Sequence, residues 1–143
     1  AKQFDDCTNE FWWVSPYAAK GLWRGELPYA KRMADSYVRE QLDKMLDWYV
    51  GIKTNFMVSP GKYGKYLERI LEPELYSLLL QTYADADYER SWEALLAMSE
   101  LFRRVAIPVA EHFGYEYPYG DDQRVSAHLR HVRSLPRDAQ EMY

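Results

Sequence analysis

Five side chains near the start of the chain, Glu10, Trp13, Tyr17, Lys20 and Arg24, recur at steps of three, four, three and four. On a helix those steps bring side chains to one face. That face then carries a carboxylate, two aromatic plates and two cations in a row. The first three groups suit a cation: a ring under a cation contributes roughly 0.5–2 kcal/mol, and a desolvated carboxylate adds more. Lys20 and Arg24 suit an anion. The competing reading is that Trp13 and Tyr17 are half-buried, with the two cations reaching past them to water. A third reading, a structural bundle whose aromatics simply pack, predicts both rings fully buried among apolar neighbours.

Other residue types with chemical potential are more scattered. The stretch GKYGKYLER holds Lys62 and Lys65 at an expected helix start, where backbone amides favour phosphate and lysines act as point charges for it. It is not a P-loop, because GxxxxGK[ST] is absent and no strand precedes it. Asp43 and Asp47, one helical turn apart, could face a cationic ligand; solvation is the ordinary fate of such acids. Asp85 and Asp87 have a spacing that can hold Mg²⁺, but between two helices they read as caps. His112, His128 and His131 lack metal-ligand spacing with any acid or cysteine. Cys7, Ser15, Ser59 and Ser99 have no nucleophile context. No complete catalytic set can be assembled from these residues.

The elements that must position them are helices. A first helix, capped by Thr8 or Asn9, presents Phe11, Val14, Ala18 and Leu22 as its core face, and Pro16 should bend it near Trp12. Gly25 and Pro28 break the chain, and a second helix is expected over 29–49 with an apolar stripe from Ala30 through Tyr37 to Tyr49. The residues 51–64 read as the extended loop. A third helix is expected over 65–71, a fourth from Pro73 to about Tyr83, and a long one after Asp85 or Asp87, kinked at Pro108 and ended by Gly114. YEYPYGDD reads as a turn-rich linker before a last amphipathic stretch over 125–133 and a polar tail. The predicted fold class is all-α, an antiparallel bundle of about five to six helices in one domain spanning 1–143.

With 143 residues the chain can bury a core unaided. Aromatics reach 16%, including 13 Tyr and 5 Trp, types that favour ligand-gripping surfaces as well as cores. A net charge of −4 argues against a nucleic-acid binder held by general electrostatics. One cysteine excludes an internal disulfide framework and fits a reducing compartment, and no apolar run approaches the roughly 20 residues that span a bilayer. The expected setting is the cytoplasm, with no membrane or nucleic-acid partner. The chain opens at Ala1, already inside a helical pattern, which suggests the C-terminal part of something longer.

The blocks NEFWWVSPYAAKGLWRGELPYA, MLDWYVGIKTNF, GKYGKYLERIL and SWEALLAMSELFRRVAIPVAEHFGYEYP, in this order, resemble the C-terminal part of the streptomycin-type aminoglycoside 6-adenylyltransferases. They cover nearly the whole chain. The resemblance implies a two-domain parent: an N-terminal nucleotidyltransferase domain of the polymerase-β type, with a Gly-Ser turn and paired aspartates for Mg²⁺, and a C-terminal helical bundle that closes over ATP and antibiotic. AMP passes from ATP to an aminoglycoside hydroxyl, and pyrophosphate leaves. Carried over, Lys20 and Lys62 become triphosphate candidates, with Arg24 and Lys65 beside them. Glu10, Trp13 and Tyr17, with Asp43 and Asp47, become candidates for the polycationic drug.

The Gly-Ser turn and the metal-holding aspartates are missing from these residues. The isolated chain is therefore expected to be inactive, because phosphoryl-type transfer draws most of its acceleration from metal and positioning. The alternative is a stand-alone helical ligand-binding or interaction module without catalysis, distinguished by whether the open reading frame encodes an upstream catalytic domain.

Overall fold

Apolar side chains recur at helical spacing along almost the whole chain. The structure, a computed structural model that describes residues 1–136, turns that spacing into helices, with no strand among those residues. Helix α1 spans Lys2–Trp23. Helix α2, Leu27–Arg32, has Pro28 in its first turn, where a missing N–H leaves nothing unsatisfied. A π-helical segment, Met33–Val38, follows and runs straight into α3, Arg39–Lys53. Beyond a loop and a 3-10 turn at Lys62–Gly64 lie α4, Leu67–Ile70, and α5, Pro73–Gln81. The long α6, Tyr88–Phe113, and α7, Tyr119–Ser134, complete an all-α bundle.

Two contacts show that α1 and the rod formed by α2, the π segment and α3 run antiparallel. Near one end a Cβ on Gly21 would lie only 2.9 Å from the Ala30 Cβ, so glycine lets the two backbones meet. Toward the other, the Cys7 thiol donates to the Gln41 carbonyl at 3.2 Å. The faces between them are apolar: Phe11, Val38, Leu42 and Met45 are fully buried. Phe11 stacks on Phe102 of α6 with ring centroids 3.9 Å apart, and Trp12 meets the same ring edge-on. This aromatic seam fixes α1, and with it the polar face opposite.

Helix α7 is held by a polar clamp. The Arg103 guanidinium on α6 donates to both Asp122 oxygens, at 2.6 and 2.7 Å, and Tyr117 and Ser126 add hydroxyl donors to the same carboxylate. Burial alone would raise Asp122, but these donors outweigh it and hold the carboxyl below its usual range.

Several boundaries differ from the sequence expectation. Helix α1 begins six residues before Thr8, whose hydroxyl is buried and donates back to the Asp5 carbonyl, so neither Thr8 nor Asn9 is a cap and Glu10 sits well inside the helix. The expected second helix is interrupted by the π segment. Instead of a third helix over 65–71 there is a 3-10 turn, with Tyr63 at φ 54°, followed by the short α4, so Lys62 and Lys65 do not open a regular helix. The last helix starts at Tyr119, because Asp121 and Asp122 of the supposed linker form its acidic first turn. Asp87 does cap α6, accepting from the Arg90 amide at 2.8 Å, and Gly114 ends it at φ 71°. The helix continues through Pro108. The polar tail from 137 onward lies outside the described residues.

Candidate functional site

On α1 the two faces separate as the spacing demands. Phe11, Ala18 and Leu22 are buried, whereas Trp13 is 69% exposed and Tyr17 41%. That excludes the reading in which both rings vanish into the core. Glu10 beside them has no hydrogen bond or ion pair to any described residue. Glu10, Trp13 and Tyr17 share a shallow cleft of about 270 Å³ with Val14 on α1, Tyr29 on α2, and Met33 and Tyr37 on the π segment. Gly21 matters here too, since a Cβ there would come within 2.9 Å of the Tyr29 ring.

Glu10 also borders a second cleft, of about 530 Å³, with Asp6, Cys7, Gln41 and Lys44. Burial pushes the Cys7 thiol up to about 12, which keeps it protonated and poorly nucleophilic at neutral pH. Lys44 in turn lines a third cleft, of about 730 Å³, between α3 and the 3-10 turn. There the structure brings Asp43 and Asp47 together with Lys62, Tyr63 and Arg39. Burial pushes Asp43 up to about 6, against the opposing Arg39 charge, and it also raises Asp47. Arg39 is held by its Nη2 donating to the Thr82 carbonyl at 2.9 Å and by the Tyr83 ring 4.0 Å beneath it. The carboxylates are thus partly stripped of water, which favours a bound cation.

The other cations are dispersed. Lys20 is half-buried in the last turn of α1, where a positive charge suits the helix dipole, and Arg24 is the C-cap residue. Neither borders any of the three clefts. Lys65 is exposed with its ammonium 5.1 Å from the Tyr66 ring centre. The four candidates for phosphate therefore do not share a pocket with one another. Among the described residues no group of three or more His, Cys, Asp or Glu is placed to hold a metal ion. Asp85 is committed to Arg90, and Asp87 to its cap. These residues do not fit the Mg²⁺ that the resemblance implies.

Sequence reasoning missed Tyr29, Tyr37 and Arg39. Tyr29 was legible in principle, as the residue after Pro28 on the rod that returns along α1. Tyr37 was not, because ordinary helical spacing places it on the core stripe.

The sequence model of the family described as streptomycin adenylyltransferase matches residues 1–132. Aminoglycoside 6-adenylyltransferases from Campylobacter jejuni and Bacillus subtilis (strain 168) are 38% and 36% identical over 122 residues, 85% of this chain in each case. One from Staphylococcus aureus is 33% identical over 117 residues. The crystal structure of an aminoglycoside 6-adenyltransferase from Bacillus subtilis superposes with a TM-score of 0.82 at 32% identity, covering 94% of this chain and 51% of that one. The chain belongs to the streptomycin adenylyltransferase family. It spans 42–43% of the length of these curated relatives. Among the described residues no helix is long and apolar enough to cross a membrane.

Proposed function

We propose that this chain is the antibiotic-receiving helical domain of an aminoglycoside adenylyltransferase, a cytoplasmic resistance enzyme that moves AMP from ATP to a hydroxyl of a streptomycin-like drug. The observation that carries the proposal is Glu10: a carboxylate with no partner among the described residues, beside two exposed aromatic rings, within the stretch that the family model matches. A polycationic drug needs such groups, because a cation held over a ring and against a carboxylate keeps much of the stabilisation it loses with its water. Asp43 and Asp47 would receive a second cationic group of the drug, and the acidic balance of the chain draws such a ligand in.

Catalysis belongs to a nucleotidyltransferase domain of the parent protein, which would carry Mg²⁺ and hold ATP with it. The bundle's part is to orient the drug and to offer cations, Lys20 and Arg24 on α1 and Lys62 and Lys65 on the turn, to the nucleotide phosphates. Their dispersal favours Lys20 or Lys62 as separate contacts rather than one phosphate cradle.

Calorimetric titration of the chain with streptomycin tests this reading. A half-site should bind weakly, near millimolar, worth roughly 4 kcal/mol. Glu10→Gln and Trp13→Ala should each weaken binding by roughly tenfold or more. Binding that neither substitution alters would place the drug elsewhere and refute the assignment.

A further inference from the structure

The cleft at Glu10 differs chemically from the one at Asp43 and Asp47. Its rings, Trp13, Tyr17, Tyr29 and Tyr37, are 69, 41, 41 and 47% exposed. None of the four is paired with another ring or covered by a cation among the described residues. The other exposed rings among the described residues are all engaged: Phe56 and Phe113 lie against each other, Tyr119 meets Tyr117 edge-on, and cations sit over Tyr63, Tyr66 and Tyr83. The cleft thus holds free aromatic surface around a single carboxylate, Glu10.

Two local features hold the outer rings in place. Gly21 lets the Tyr29 ring approach α1. Tyr37 belongs to the six-residue π-helical segment, a rare winding that gathers at functional sites. Across that segment Val38 turns fully inward while Tyr37 stays out, although both fall on the apolar stripe of an ordinary helix.

We infer that Tyr29 and Tyr37 are specificity-determining residues, which with Trp13 and Tyr17 make this cleft a subsite for a flat guanidinium rather than a compact ammonium. The biological ligand rests on the reading of the chain as an aminoglycoside-receiving domain; the preference itself rests on the cleft. A guanidinium is planar and weakly hydrated, stacks on ring faces, and can present two parallel N–H groups to one carboxylate. An ammonium is strongly hydrated and directs three donors, for which one carboxylate and ring faces are a poor exchange. The paired acids at 43 and 47 suit that second kind of cation better.

The test uses the ¹⁵N-labelled chain, the Trp13 indole resonance assigned through Trp13→Phe, and two probes, methylguanidinium chloride and methylammonium chloride. Methylguanidinium should shift that resonance at a concentration roughly tenfold lower than methylammonium. Tyr29→Ala and Tyr37→Ala, both at exposed positions, should each raise the guanidinium concentration needed by roughly tenfold, and Tyr37→Phe, which keeps the ring face, by less than about twofold. Equal response to the two probes, or no effect of either alanine, overturns the inference. Streptomycin titrations of the same variants separate it from the functional reading. Streptomycin binding lost in Glu10→Gln but untouched in both alanine variants would overturn the subsite and leave the function. Absence of streptomycin binding with the guanidinium preference intact would do the reverse.

Discussion

At the scale of single residues, the site is built from groups left without a partner. Glu10 is one, and Asp43 is nearly another, since burial pushes its carboxyl up to about 6. A carboxyl raised in the folded state stabilises the fold below its ordinary pKa of about 4 and loses that contribution as pH climbs through the raised value. Asp43→Asn should therefore stabilise the chain at pH 7 by about 1 kcal/mol, allowing for partial exposure, and flatten the change in stability between about pH 4 and 6. Thermal melts across that range check it, and a variant that melts lower at pH 7 would show the Asp43 charge to be satisfied. Residues of this kind were only half legible in the sequence. The three-four spacing from Glu10 to Tyr17 announced a shared face because α1 is regular there. Arg39 went unnoticed because its partners, the Thr82 carbonyl and the Tyr83 ring, are brought to it by tertiary folding from more than forty residues away.

At the scale of elements, the helices were legible where a local signal sets them. Asp87 and Gly114 bracket α6 through a side-chain cap and a left-handed residue, and Pro28 and Pro73 each open a helix in its first turn. The π segment had no such signal. Its residues read as ordinary helix, and the departure follows from packing, which takes Ala30 and Val38 inward at a spacing of eight residues while Tyr37 stays out. If the wider winding is what holds Tyr37 at the cleft, deleting the exposed Ser36 should restore a regular α-helical ladder. The deletion should leave the melting temperature within a few degrees and abolish the Tyr37 contribution to cation binding. Circular dichroism together with a streptomycin titration would show it. A folded deletion variant that binds as well as the parent would mean that the winding has no bearing on the site.

At the scale of the whole molecule, the bundle works as a rigid mount. The seam of Phe11, Trp12 and Phe102 fixes α1 against α6, and the Arg103–Asp122 clamp fixes α7 against α6. Asp122 is 3% exposed, so Asp122→Asn leaves Arg103 without its main partner and should cost about 2–4 kcal/mol. Because the Asp122 carboxyl is held below its usual range, its contribution is present above about pH 4 and lost as the pH falls below that value. Urea unfolding at pH 7 and pH 3 should find wild type and variant far apart at the first and closer at the second. An equal gap at both would assign the cost to packing instead of charge.

The central claim is that a drug cation rests against Glu10 and over Trp13. Diffraction from crystals of the chain grown with streptomycin tests it most directly. Density for a cationic group is expected within about 3 Å of the Glu10 carboxylate and against the Trp13 ring. Well-ordered drug bound away from Glu10 and Trp13 would contradict it.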